Sequence, residues 1–314
     1  MTLAATCSPT RSGEGGLEEL TDFGENPGNL KAWHYVPKKL PEGAALVLVL
    51  HGCGQNAAEM ARLSGWNELA EEHQFALLYP EQQVSNNRQN CFNWFLPADM
   101  QRDSGEARSI HQMLQRMLQE YQLDEERVYV TGISAGGAMA AVMMASYPRQ
   151  FEAGAIHAGV PYGAARDLQT GLQAMQGQVV LPPKEWADKV KAQYPSFDQA
   201  YPSLAIFHGT DDPLVSPVNA SELAKQWGFL HGIDFSNPMQ QPGFEGNEGV
   251  TRLAFQGANG AVELVKYDIQ GLGHALAVDP GNGEQQGGAT GRFAKDVDFF
   301  SSYWTAAFFG LAEP

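Results

Sequence analysis

The chain has 314 residues, 43% of them hydrophobic, and a formal net charge of −16. This suits one large α/β domain with a substantial core. No apolar run approaches the ~20 residues of a membrane span, and no Lys/Arg cluster offers a surface for nucleic acid or anionic lipid.

The three cysteines, Cys7, Cys53 and Cys91, form no C-x-x-C pair, so no zinc site is expected. Met1–Gly16 is small and polar and lacks a charged segment followed by an apolar one. It reads as a flexible tail, assigned to residues 1–19, that holds no intact signal peptide and is compatible with the remnant of one. Cys7 should be unpaired there. Residues 20–314 read as a single catalytic domain.

Ala32–Val36 suits an early strand. Ala45–Leu50 is continuously apolar, as in a strand buried on both faces of a parallel sheet. A helix is expected over Ala57–His73 and a strand over Phe75–Tyr79. Glu81–Arg102 is a polar loop that carries Cys91-Phe92-Asn93-Trp94-Phe95. After Asp103-Ser104, apolar residues from Ile110 to Tyr121 recur at helical spacing. Val128–Val130 is a strand, and Ala138–Ala145 is apolar all round and helical. Another strand follows at Ala153–Ile156.

Pro161–Pro202 interrupts the alternation and reads as a helical insertion over the site. Ser203–Phe207 resumes the sheet, and Val218–Trp227 is a helix. Phe229–Gly249 is a Gly/Pro/Asn-rich loop, Ala261–Ile269 the last strand, and Phe293, Val297, Phe300 and Trp304 mark a closing helix. Strands alternating with helices give a mainly parallel sheet flanked by helices.

Gly132-Ile133-Ser134-Ala135-Gly136 sits between a strand and a helix. A serine at such a turn is held at a helix N-terminus, and small neighbours let the two elements pack. This is the nucleophile-elbow pattern of the α/β-hydrolase fold. A serine hydroxyl needs a base within reach and an acid behind that base. In this fold the order is Ser, acid, His. Asp212, after the Ser203–Phe207 strand, is the expected acid, with Asp211 as the alternative. His274, in Gly271-Leu272-Gly273-His274-Ala275 after the last strand, is the expected base. The oxyanion donors should be the backbone N–H groups of Ala135 and of Cys53, in the turn after the Leu46–Leu50 strand.

These residues resemble a known group. His51-Gly52-Cys53-Gly54-Gln55-Asn56, Cys91-Phe92-Asn93-Trp94-Phe95, Gly132-Ile133-Ser134-Ala135-Gly136-Gly137-Ala138-Met139 and Gly271-Leu272-Gly273-His274-Ala275 are similar to motifs of the extracellular polyhydroxybutyrate depolymerase family. That family is akin to feruloyl and acetylxylan esterases. Phe23–Gly28, Tyr35-Val36-Pro37, Tyr147-Pro148 with Phe151, and His208-Gly209-Thr210 with Asp212 and Val215 extend the match from about Leu20 to about Phe309. The resemblance implies secretion or a periplasmic location, no metal and no organic cofactor. It also favours Asp212 over Asp211.

An oxidising compartment permits a Cys53–Cys91 disulfide, which would pin the oxyanion turn to the Phe92–Phe95 loop. Trp94 and Phe95 should then line one wall of the cleft. An aromatic wall suits a short hydroxyalkanoate polyester or a cinnamoyl ester. The expected partner is an ester substrate, and a monomer is expected. Relatives with a polymer-binding domain carry it after the catalytic domain. Without one, soluble oligomers and amorphous polymer should be cleaved faster than crystalline polymer. Two other classes share this fold, a binding module on an inactive hydrolase scaffold and a peptidase. The full chemical set argues against the first. The second is disfavoured by the lack of room for a large gating domain.

Overall fold

A computed structural model of the protein describes residues 16–313. Strands β1 (Glu18–Glu19), β2 (Lys31–Tyr35) and β3 (Leu46–Leu50) lead into helices α1 (Ala57–Ser64) and α2 (Trp66–His73). Strand β4 (Ala76–Glu81), helices α3 (Pro97–Met100) and α4 (Gly105–Tyr121), strand β5 (Val128–Ile133) and helix α5 (Ala135–Ser146) follow. After β6 (Ala153–His157) come α6 (Leu168–Met175), α7 (Pro183–Lys191), β7 (Ser203–Gly209) and α8 (Val218–Leu230). The chain then forms β8 (Met239–Pro242), β9 (Val250–Gln256), β10 (Val262–Ile269), β11 (Leu276–Val278), β12 (Ala294–Asp296) and α9 (Ser301–Phe308).

Ten strands make one sheet in the order β1-β2-β4-β3-β5-β6-β7-β10-β9-β8. The run from β4 to β10 is parallel, and both edges are antiparallel. Period-two alternation explains how the middle is covered on both faces. Leu46, Leu48 and Leu50 join the core beneath α4, α5 and α8, while Val47 and Val49 join the one beneath α1, α2 and α9. Burying each such side chain is worth about 1.5–3 kcal/mol. Every residue of α5 is buried, which is why its sequence shows no polar face.

Four expectations are corrected. The helix over Ala57–His73 is two helices, because Gly65 adopts a left-handed backbone (φ 69°) and a Cβ there would meet the Gly288 backbone at 2.7 Å. Glu18 and Glu19, placed in the tail, pair with His34 and Trp33. The Phe229–Gly249 loop holds β8, and β9 forms an antiparallel hairpin with β10. The closing helix begins only at Ser301. Phe293 precedes β12, and Asp298 at φ 53° breaks any helix through Val297. Helices α6 and α7 bear out the helical insertion. Cys7 lies outside the described residues.

Candidate active site

Strand β5 delivers Ser134 to a turn with φ 57° and ψ −120°, and α5 begins at the next residue. Such a backbone is rare for a residue with a side chain and persists only when its surroundings hold it. Here the Ser134 N–H donates to the His157 carbonyl at 2.9 Å. Gly136 makes the turn possible, since a Cβ there would lie 2.2 Å from the Leu50 carbonyl oxygen. The end of β3 therefore packs directly on the elbow.

The turn after β3 is fixed by His51. Its buried ring donates from Nδ1 to the Gly52 carbonyl (2.8 Å) and accepts the Gln82 N–H at Nε2 (3.0 Å). Acceptance at Nε2 requires the neutral ring, and burial pulls His51 down to about 4 against the smaller opposing effect of the Gly52 bond. A trans peptide points its C=O and N–H in opposite directions. With the Gly52 carbonyl on His51, the Cys53 N–H is turned away from the ring. Among the described residues neither the Cys53 nor the Ala135 N–H donates to a protein acceptor.

Cys53 is bonded to Cys91. The Cys91 loop is anchored from beneath by Glu106, whose carboxylate accepts the Asn93 backbone N–H (2.8 Å), the Asn93 amide (2.7 Å) and the Gln82 amide (2.5 Å). Burial and the nearby Asp99 carboxylate push Glu106 up to about 8, while the three donors pull it down.

Asp212, in the turn after β7, is buried. Its Oδ1 accepts the Leu214 and Val215 N–H groups, each at 2.9 Å. Its Oδ2 meets His274 Nδ1 at 2.8 Å, with His208 Nε2 3.5 Å away. Burial alone would raise this carboxyl. The hydrogen bonds from His208, His274 and Val215 outweigh it and hold Asp212 well below the usual carboxylate range. Asp211 is exposed and takes a hydrogen bond from Thr210 instead.

The bond to Asp212 fixes the His274 tautomer. A carboxylate only accepts, so Nδ1 carries the hydrogen and Nε2 of the neutral ring is left as a base.

Ser134 and His274 border one recess of about 190 Å³, walled by Ile133, Met175, Leu214 and Phe293. Met175 comes from the insertion, where the Ser216 N–H donates to its carbonyl (2.7 Å) and the Asn219 amide reaches Ala174 (3.0 Å). Phe293 arrives through the β11–β12 pairing and stands edge-on to His274. Trp94 borders a smaller adjoining cleft with Ser134 and Ala135. Phe95 packs edge-on against Trp94 and lies over Gly171 of α6, so it acts through packing. Sequence reasoning missed Met175, Leu214, Phe293, Gln89 and the wall roles of Gln55 and Ile133. Of these Gln55 and Ile133 stood in quoted motifs.

His157, at the end of β6, is wholly buried and stacked on Phe207, and burial pulls it down to about 3. The folded chain therefore stays unprotonated there while the unfolded chain takes a proton below its ordinary value of 6.5. The stabilisation is present above pH 6.5 and is lost as pH falls toward 3. Between pH 7 and pH 5 the loss is about 2 kcal/mol. Urea unfolding of His157→Phe should show a pH 7-to-5 fall smaller than the wild type's by about that amount. Equal falls in the two proteins would rule out His157 as the source.

Residues 32–247 match the family described as Esterase PHB depolymerase. The chain is 40% identical over 296 residues to Poly(3-hydroxyalkanoate) depolymerase C of Paucimonas lemoignei, covering 94% of this chain and 70% of the relative. It is 30% identical over 271 residues to Feruloyl esterase B of Talaromyces funiculosus, covering 84% and 74%. A solved acetyl xylan esterase from Aspergillus awamori superposes with a TM-score of 0.76 at 28% identity, over 83% of this chain and 94% of that one. An elbow serine at the head of a parallel sheet is thus joined to family-wide similarity along the same chain: the protein belongs to the esterase PHB depolymerase family and is a carboxylic-ester hydrolase on the α/β-hydrolase fold.

Proposed function

We propose that the protein is a secreted serine carboxylesterase that cleaves polyhydroxybutyrate-type polyesters or their oligomers. The observation that carries the chemistry is the 2.8 Å contact of His274 Nδ1 with the buried Asp212 carboxylate, at the recess that Ser134 borders. Ser134 Oγ attacks the ester carbonyl while His274 Nε2 takes its proton. Asp212 balances the imidazolium, and the N–H groups of Cys53 and Ala135 receive the oxyanion. The intermediate collapses as His274 hands the proton to the departing alcohol. Water then attacks the acyl-enzyme by the same route. Every proton in this sequence has a side chain to carry it, so no step calls for a metal or organic cofactor.

The relative with 40% identity over nearly the whole chain supports the polyester reading. The recess walls are mainly apolar and carry no Lys or Arg, which favours a neutral ester over an anionic one. The Cys53–Cys91 bond fits an oxidising compartment and thus secretion.

A second reading, a feruloyl or acetylxylan esterase, is favoured by the similarity to Feruloyl esterase B and by the A. awamori fold match. Product release from hydroxybutyrate trimer, methyl ferulate and acetylated xylan at equal enzyme concentration separates the two. The trimer should be turned over fastest. Negligible trimer hydrolysis beside rapid ferulate or xylan deacylation would move the protein to the cell-wall branch.

A further inference from the structure

Gln55 is buried, borders the recess beside Ser134, and has one half of its amide engaged. Its oxygen accepts the Gly52 N–H at 2.8 Å. Because Gly52 N–H is a donor, the atom facing it must be Oε1, so the identity of the other amide atom is settled by chemistry. That atom, Nε2, is buried and has no partner. An unpaired buried donor is costly, and such a group beside a binding recess is available to what binds there. Gln55 is also tethered, since its oxygen accepts from the oxyanion turn itself.

The oxyanion already has two backbone donors, the N–H groups of Cys53 and Ala135. The Gln55 amide is therefore left for a second oxygen close to the scissile carbonyl. The remaining walls are the apolar Ile133, Met175, Leu214 and Phe293 and the exposed Gln89, so among the residues that line the recess the Gln55 amide is the buried donor left without a partner, and its place fixes which acyl group fits.

We infer that Gln55 is a specificity-determining residue whose Nε2 donates to an oxygen on the third carbon of the acyl group, selecting 3-hydroxyacyl esters over plain acyl esters. That oxygen accepts whether it is a free hydroxyl or is esterified to the next unit of a chain. A plain acyl or cinnamoyl group has no oxygen at that carbon and leaves Nε2 unpaired, which is how a site built for a hydrogen bond rejects an analogue lacking it. The inference rests on the esterase reaction proposed above.

The test compares 4-nitrophenyl 3-hydroxybutyrate with 4-nitrophenyl butyrate, corrected for spontaneous hydrolysis. The wild type should prefer the hydroxyacyl ester by about 10- to 100-fold in kcat/KM. Gln55→Glu keeps an oxygen for the Gly52 N–H but removes the donor, and should bring that ratio close to one. Gln55→Met should do the same. A wild-type ratio near one overturns the inference without recourse to any variant. An unchanged ratio in a folded variant, or an equal loss on both esters, overturns it as well; the latter would make Gln55 a third oxyanion donor. Ser134-dependent turnover of butyrate with no hydroxyacyl preference sinks the Gln55 role alone. No turnover of either ester sinks the esterase reading with it.

Discussion

Ser134→Ala and His274→Ala are each expected to lower kcat about 10⁶-fold, and Asp212→Asn about 10⁴-fold. The smaller effect at Asp212 follows from the contacts around it. Oδ1 holds two backbone N–H donors, from Leu214 and Val215. An asparagine must put its oxygen there, which turns its NH₂ toward His274 and toward His208 Nε2. His274 Nδ1 then meets a donor, the hydrogen moves to Nε2, and the ring can no longer accept the Ser134 proton. Nucleophile and oxyanion donors survive, so residual turnover exceeds that of Ser134→Ala. The double variant Ser134→Ala/His274→Ala should be no slower than either single one, because the two residues act as a unit. Asp211→Asn should keep nearly full activity, since Asp211 faces solvent. Steady-state kinetics on a chromogenic short-chain ester measure all of these. Full activity in Asp212→Asn beside a dead Asp211→Asn would reverse the assignment of the acid. Acidification should not act first through Asp212, whose carboxyl stays ionised well below the usual range.

The elbow was legible because the chemistry demands small residues at fixed offsets: Gly132 and Gly136 are where side chains would collide with β3 and α5. The pairing of Asp212 with His274 was legible because each follows a strand in the order that brings strand ends to one side of a parallel sheet. The recess walls were not. Met175, Leu214 and Phe293 come from an insertion, an acid turn and a late loop, and no local pattern marks such convergence. Phe293 was even misread as helical, since Phe293, Val297, Phe300 and Trp304 are spaced as a helix face is. The left-handed Asp298 and the pairing of β12 with β11 override that spacing. The β9–β10 hairpin was missed although Gly257-Ala258-Asn259-Gly260 is a turn signal between alternating runs. For Gln55 the residue stood in a quoted motif, but its role depends on which way the amide faces. Only the Gly52 contact reveals that.

Removing the Cys53–Cys91 bond by the double substitution Cys53→Ala/Cys91→Ala is expected to cost about 4 kcal/mol of stability, from a loop of 38 residues closed in the unfolded chain. The effect on catalysis should be much smaller. The bond is one of several tethers on the oxyanion turn, which also include the Gln55 oxygen on the Gly52 N–H and the Gln89 carbonyl on the Gly54 N–H. His51 still grips the Gly52 carbonyl and the Gln82 N–H. Gln82 in turn reaches the Cys91 carbonyl and Glu106, and Glu106 holds Asn93. None of these contacts uses a cysteine sulfur, so the Cys53 N–H keeps its direction while the chain remains folded. Loss of an oxyanion donor costs about 10²–10³ in kcat. The double variant, assayed well below its unfolding midpoint, should lose less than about tenfold by that measure. Guanidinium unfolding of the variant against wild type reads the stability change, and ester turnover at low temperature reads the catalytic one. A 10²-fold fall in kcat with the fold intact would mean that the disulfide, and not His51, orients the donor. Unchanged stability would mean that the loop between the two cysteines is already constrained in the unfolded chain.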